Sequence, residues 1–169
     1  MMNLMMSVAV SATASFSHPT NLTELAPEVA GVPTENVNDG WLKVRTTAYT
    51  HSERDHKPYG RKTARGNTLK YGKLRSAAAD WSKFPVGTRF EIKGDPNIYE
   101  VDDYGSALVG KNTIDLYKPS LSSMNKWGCR HVPIRILKWG CFDRSYQIMR
   151  VRTHNKYVRR MVNSIKART

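Results

Sequence analysis

Three aspartates are the residues of this chain best suited to chemistry. Asp80, Asp103 and Asp115 each stand where a strand-like run of residues meets a turn. Lysine and arginine outnumber acids by 27 to 14, so carboxylates beside apolar residues are unusual here. Carboxyl groups cleave glycosidic bonds, acting as acid, base or nucleophile. The aspartates therefore indicate a site for glycoside chemistry, with turn stabilisation by Asp and Gly as the alternative.

Asp115 has the surroundings that a general acid needs. It is flanked by Ile114 and Leu116 and followed by Tyr117. Burial among such side chains raises the pKa of a carboxyl group, which then holds a proton near neutral pH. The excess of lysine and arginine would oppose that shift, so we expect the aspartates to be shielded from those charges.

Short strand-like runs separated by turn residues surround the aspartates. They predict six strands, at residues 41–50, 76–80, 89–92, 98–103, 113–117 and 131–138. Six short strands favour a mainly β fold closed into a barrel, because closure removes exposed strand edges. A serine cap and a glycine stop predict a short helix within residues 119–128. The polar loop at residues 51–73 is long enough to suggest a functional loop.

Charge divides the chain into unequal parts. The formal net charge is +13, which attracts polyanions without distinguishing among them. Residues 1–40 hold four acids and no lysine or arginine, whereas residues 142–169 hold eight basic residues and one acid. We therefore predict a leader at residues 1–15, a linker at 16–40, one domain at 41–141 and a basic tail at 142–169.

The first 15 residues resemble an export signal. A short apolar stretch precedes Ala12-Thr13-Ala14, although no basic residue stands before it. The prediction is an exported protein, and the alternative is an unstructured leader of small residues. No run approaches the roughly 18 apolar residues that a membrane-spanning helix requires.

The basic tail contains an apolar stripe at helical spacing, formed by Val158, Met161, Val162 and Ile165. It predicts a helix that either lies on an anionic membrane or wall polymer or packs its stripe against the barrel. Cys129 and Cys141 flank one predicted strand, which keeps them too far apart for a disulfide. We expect both cysteines to be unpaired, and neither has the spacing of a metal ligand.

Several segments in order resemble the successive motifs of the 3D domain, a family named for three aspartates. The resemblance covers about residues 43–139. Its motifs here are Thr47-Ala48-Tyr49-Thr50, Thr63-Ala64-Arg65-Gly66, Ala78-Ala79-Asp80, Asp103-Tyr104-Gly105, Ile114-Asp115-Leu116-Tyr117 and Trp127-Gly128. It implies a six-stranded double-psi β-barrel, related to the catalytic domain of MltA-type lytic transglycosylases. The chain departs from the family in having Trp81 after Asp80 and Tyr104 after Asp103.

The resemblance also implies a function and a set of site residues. The implied activity is cleavage of peptidoglycan glycan strands in the periplasm or at the outer membrane, without metal or organic cofactor. Asp115 would be the acid and base, Asp103 would raise its pKa or stabilise sugar charge, and Asp80 would hold loops. Predicted substrate contacts come from Tyr49, Tyr104, Gly105 and Tyr117.

Two other functions remain open from the sequence. A non-catalytic barrel that binds cell-wall glycan, as expansins do, would need the same fold without the chemistry. A nucleic-acid binder would explain the charge, but the basic residues are not interleaved with an aromatic stacking platform. Nucleic acid is therefore not an expected partner.

Overall fold

The computed structural model describes residues 40–54 and 56–168 and has a mainly β fold. Its six strands form one sheet that closes on itself in the order β1-β5-β2-β4-β3-β6. The strands are β1 Leu42–Tyr49, β2 Leu74–Ala78, β3 Arg89–Ile92, β4 Ile98–Asp103, β5 Thr113–Tyr117 and β6 Arg130–Lys138. The helices are α1 Leu121–Trp127, α2 Phe142–Met149 and α3 Lys156–Lys166.

The six predicted strands are confirmed, with small changes at their ends. The bounds of β3, β4 and β5 are those predicted. β2 begins earlier than predicted and ends at Ala78, so Asp80 lies in the following turn rather than in the strand. The predicted leader falls outside the described residues, and so does the predicted linker apart from Gly40.

The short helix α1 begins and ends as its sequence predicts. Ser120 is the N-cap, and its hydroxyl accepts a hydrogen bond from the backbone N–H of Ser123. Gly128 ends the helix with a φ of 62°, a backbone conformation that favours glycine. The helix packs against β1.

Two parallel pairs set the register of the sheet. β1 pairs with β5, and β2 pairs with β4, in parallel, while the other four pairings are antiparallel. Parallel neighbours cannot be joined by a tight hairpin and need longer crossover connections. β1 and β2 are not neighbours, because β5 lies between them, and the long segment that joins them, residues 50–73, carries several residues of the site described below.

The basic tail folds as two helices rather than the single helix that was predicted. The apolar stripe of α3 is buried, since none of its four side chains is more than 6% exposed. These side chains belong to the same core cluster as Phe90 and Ile114 of the sheet. The alternative in which the stripe packs against the barrel is therefore the one that the structure confirms. Within the described part of the chain, no helix has the length and apolar character needed to cross a bilayer.

Gly140 lies between β6 and α2, where the chain packs closely against the backbone of Pro85 and Val86. A Cβ at this position would lie 2.3 Å from the carbonyl oxygens of both Pro85 and Val86, so a side chain cannot be placed there without backbone movement. The close passage is fixed by hydrogen bonds, including Gly140 N to Thr88 Oγ1 at 3.0 Å. Both cysteines are free, as predicted, and both are exposed.

Candidate active site

Ala78 of β2 stands between two of the three aspartates. It pairs with Asp103 of β4 on one side and with Asp115 of β5 on the other. An irregularity in the register between Ala77 and Ala78 makes this alignment. Two strand spacings separate the aspartates, so their Cα atoms are about 10 Å apart. The sheet thus brings Asp103 and Asp115 into one row.

The carboxyl of Asp115 is half-buried in this row. Its Oδ1 accepts a hydrogen bond of 2.7 Å from Thr47 Oγ1 on β1. Burial raises the pKa of Asp115 to about 6, the negative charges of Glu53 and Asp103 act in the same direction, and the Thr47 hydroxyl opposes them. Asp115 is therefore a carboxyl that can hold and release a proton near neutral pH.

Asp103 is enclosed by the protein. Its side chain is only 6% exposed. Oδ1 accepts from the backbone N–H groups of Ala64 at 3.0 Å and Tyr104 at 2.9 Å, and Oδ2 accepts from the Tyr49 hydroxyl at 3.2 Å. Burial raises the pKa of Asp103, while these hydrogen bonds and the charge of His56 lower it. Asp103 is an internal charge beside the site rather than a group open to solvent.

Tyr49 is hydrogen-bonded to Asp103 and is also influenced by the charge of Asp115. Its hydroxyl donates to Asp103, and its pKa is raised well above the ordinary value, first by burial and then by the charges of Asp103, Asp102 and Asp115. Tyr49 therefore stays protonated and acts as a hydrogen-bond donor. Its ring also contacts His56, with 5.3 Å between ring centroids.

Asp80 lies apart from this row. It is 1% exposed, and its oxygens accept three hydrogen bonds from within the protein. Ser82 supplies two of them, from its backbone N–H and its hydroxyl, and the backbone N–H of Gly110 supplies the third at 2.6 Å. Asp80 joins the turn after β2 to the loop before β5. The prediction that it holds loops agrees with these contacts.

The predicted sugar-contact residues differ in exposure. Tyr117 is fully buried, and its hydroxyl lies 2.9 Å from Nδ1 of His51. Tyr104 is half-buried, and its ring lies edge-on to that of Trp81, with 4.8 Å between the ring centroids. Gly105 has an extended backbone, and a Cβ there would make only ordinary contact with Leu108.

An exposed aromatic ring near Tyr117 was not predicted. Tyr71 is 38% exposed and meets Tyr117 edge-on at 6.2 Å. The guanidinium of Arg75 stacks on its ring at 4.3 Å. Tyr71 is therefore more accessible to a sugar than the buried rings of Tyr49 and Tyr117.

Further residues that influence Asp115 and Asp103, and that the sequence did not single out as site residues, come from β1 and the loop after it. Thr47 bonds Asp115, Glu53 raises its pKa, and His56 lowers the pKa of Asp103. The only indication in the sequence was the length of the 51–73 loop, which suggests a functional loop but does not identify the residues that act in it. Among the described residues, no group of three or more His, Cys, Asp or Glu side chains is placed to hold a metal ion.

A separate open cleft of about 780 Å³ lies between α3 and the loop at Ser106 and Val109. Lys156, Arg159 and Arg160 line it, and neither Asp103 nor Asp115 does. The cleft is therefore distinct from the row of aspartates.

Part of the chain matches the model of a known family. No curated protein matches the chain. The model of the family described as the 3D domain matches residues 75–138. These residues include all three aspartates and extend from β2 to the end of β6. The chain therefore contains a 3D domain, at residues 75–138.

Proposed function

We propose that this protein cleaves the glycan strands of peptidoglycan between N-acetylmuramic acid and N-acetylglucosamine, as a lytic transglycosylase. A 3D domain is consistent with a cell-wall-related function. The observation that carries the proposal is the half-buried carboxyl of Asp115, whose pKa is raised to about 6. Such a group can act in turn as acid and base at the pH where cell walls are remodelled.

In the proposed reaction, protonated Asp115 donates its proton to the glycosidic oxygen, and the bond from that oxygen to the muramyl C1 breaks. The 6-hydroxyl of the same muramyl residue attacks C1 and forms a 1,6-anhydro ring. Its proton passes to the Asp115 carboxylate, which restores the enzyme. Because the nucleophile belongs to the substrate, no water has to be activated, and the entropic part of the barrier is smaller.

The surroundings of Asp103 favour this one-carboxyl mechanism over hydrolysis. A hydrolase of the usual kind needs a second carboxyl that reaches either water or the sugar. Both oxygens of Asp103 already accept hydrogen bonds from the protein, and the side chain is almost fully covered. Asp103 then contributes negative charge that raises the pKa of Asp115 and stabilises the oxocarbenium-like transition state.

We further propose that the closed sheet is a double-psi barrel. Its pairings support a pseudo-two-fold arrangement, since exchanging β1 with β4, β2 with β5 and β3 with β6 preserves every parallel and antiparallel pair. A protein with this function would act in the cell envelope, in the periplasm or at the outer membrane. The exposed basic residues of the tail would then contact an anionic membrane or wall polymer.

The test is mass spectrometry of the products released from purified sacculi by wild type, Asp115→Asn and Asp143→Asn. Asp143 is an exposed acid on α2, so its variant removes the same charge away from the site. We expect 1,6-anhydro ends from wild type and from Asp143→Asn, and a loss of about 100-fold or more in Asp115→Asn.

Other outcomes would point elsewhere. Reducing ends would identify hydrolysis and contradict transglycosylation. Binding to sacculi without any product would indicate the non-catalytic glycan-binding function. Full activity of Asp115→Asn would remove Asp115 from the mechanism.

A further inference from the structure

Arg152 of the tail contacts two segments of the chain that meet at the candidate active site. It lies half-buried in the 3-10 turn Arg150–Arg152 between α2 and α3. Its Nη1 donates to the carbonyl oxygen of Ala64 at 2.8 Å and to the hydroxyl of Tyr104 at 3.1 Å. These partners are 88 and 48 residues away in the sequence.

The same two residues supply the backbone donors of Asp103. Ala64 N–H and Tyr104 N–H both point at Asp103 Oδ1, at 3.0 and 2.9 Å. Arg152 therefore holds both residues whose amide groups stabilise the ionised form of Asp103. The ring of Tyr104 is also fixed by Trp81, whose Nε1 donates to the backbone carbonyl of Asp103 at 2.8 Å.

We propose that Arg152 is a positioning residue for the active site, which acts through Ala64 and Tyr104 on Asp103 without touching substrate. The role in catalysis rests on the proposed function, whereas the coupling of Arg152 to Asp103 does not. It makes the basic tail, which lies beyond the matched 3D domain, a part of the catalytic unit.

The chemistry of arginine fits this role. A guanidinium carries several N–H donors in a fixed planar array, so it can bridge a carbonyl and a hydroxyl at once. Among the described residues, Arg152 forms no salt bridge within 4.0 Å. Its Nη1 instead donates to neutral oxygens of two separate loops, which is an arrangement that fixes loops rather than neutralises an acid.

Loss of Arg152 has a defined electrostatic consequence. The Ala64 and Tyr104 donors would loosen, the ionised form of Asp103 would be less favoured, and the pKa of Asp103 would rise further. Asp103 would then carry less charge near neutral pH and would repel Asp115 less, so the pKa of Asp115 would fall. His56 and Tyr49 also face Asp103, and we expect their contacts with it to be the same in the variant as in the wild type.

The test compares Arg152→Gln and Arg152→Lys with Arg150→Gln in the full chain. Arg150 is exposed in the same turn, so its variant matches the change in charge. Carbon-13 NMR titration of the aspartate carboxyls gives the pKa values, and thermal unfolding confirms that each variant is folded. This readout needs no activity, so it stands whether or not the wild type cleaves peptidoglycan.

We expect Arg152→Gln to raise the pKa of Asp103 by about 0.5 to 1 pH unit and to lower that of Asp115 by less. Arg152→Lys should shift both pKa values by less than Arg152→Gln does. Arg150→Gln should leave both pKa values within about 0.2 pH unit of the wild-type values. If Arg152→Gln does not fold, Arg152→Lys carries the test, with a smaller shift in the same direction. If the pKa of Asp103 is unchanged in a folded Arg152→Gln or Arg152→Lys protein, the proposal is overturned.

The activity arm separates positioning from a general structural role. On soluble glycan strands, we expect Arg152→Gln to lower kcat about tenfold with little change in KM, because Arg152 does not contact substrate. The pH profile of kcat should shift in the same direction as the pKa of Asp115 measured by NMR. A uniform loss of activity with an unmoved profile would contradict the proposed role in catalysis.

Discussion

Thr47 Oγ1 donates a 2.7 Å hydrogen bond to Asp115 Oδ1, across the parallel pairing of β1 and β5. The two residues are direct partners in the register, so the sheet itself determines the contact. The bond favours the ionised carboxylate, whereas burial favours the protonated acid and is the larger effect, which leaves the pKa of Asp115 at about 6. The proton affinity of the candidate acid is therefore a balance that single substitutions can move.

Thr47→Val removes the donor and keeps the shape of the side chain. The pKa of Asp115 should rise by about 0.5 to 1 pH unit because the ionised form loses its hydrogen bond. In a pH–rate profile, the limb that reports loss of the acid should move to higher pH by the same amount. Maximal activity should fall about threefold to tenfold, since the carboxyl is less firmly oriented. Thr47→Ser keeps the hydroxyl and should leave the limb in place; a limb that moves equally in both variants would exclude the hydrogen bond as the cause.

Asp115→Asn should change stability in a pH-dependent way. The folded-state pKa of about 6 lies above the ordinary 3.8, so the folded protein binds this proton more tightly than the unfolded chain. Through this carboxyl, wild type therefore loses stability as pH rises from about 4 to above 6, and the variant lacks this contribution. In urea unfolding, the free energy of unfolding of Asp115→Asn relative to wild type should increase by about 1–3 kcal/mol between pH 4 and pH 8. A difference that is constant with pH would mean that Asp115 titrates normally.

The sequence predicts much of the fold because its strands carry local information. Alternating apolar residues bounded by turn residues predict the limits of β3, β4 and β5, and Ser120 and Gly128 mark the ends of α1. It also predicts that Asp115 has a raised pKa, from its apolar neighbours alone. These are properties of a few consecutive residues, which is why they can be predicted without a structure.

What the sequence cannot predict depends on contacts between distant segments. The alignment of Ala78 with both aspartates arises from a register shift in the pairing of β2 with β4, and no local pattern indicates it. The contact of Arg152 with Ala64 spans 88 residues. The separation of Asp80 from the other aspartates follows in the same way from the turn after β2, where Ser82 and Gly110 enclose it. Three similar motifs that follow one another along a chain therefore need not have equal roles in a site.

Asp80→Asn should destabilise the protein without changing the chemistry of the acid. Both carboxylate oxygens accept from backbone N–H groups, of Ser82 and of Gly110, so an amide must place its NH₂ against one of these donors. We expect a loss of about 2–4 kcal/mol in urea unfolding because the side chain is buried. Asp143→Asn, at an exposed position, should cost less than about 1 kcal/mol. Equal stability of Asp80→Asn and wild type would show that the loops do not depend on this carboxylate.

Gly140→Ala tests whether the close passage of the tail across the turn between β2 and β3 is a requirement of the fold. The added Cβ would stand 2.3 Å from the carbonyl oxygens of Pro85 and Val86 and 2.6 Å from the backbone nitrogen of Thr88. These are backbone atoms, so the segment must move, and we expect a loss of about 3 kcal/mol or more in urea unfolding. Gly72→Ala is the matched control, because a Cβ there meets nothing within 4 Å, and it should change stability by less than about 1 kcal/mol. If the tail is coupled to the site through Arg152, Gly140→Ala should also raise the pKa of Asp103, and Gly72→Ala should not.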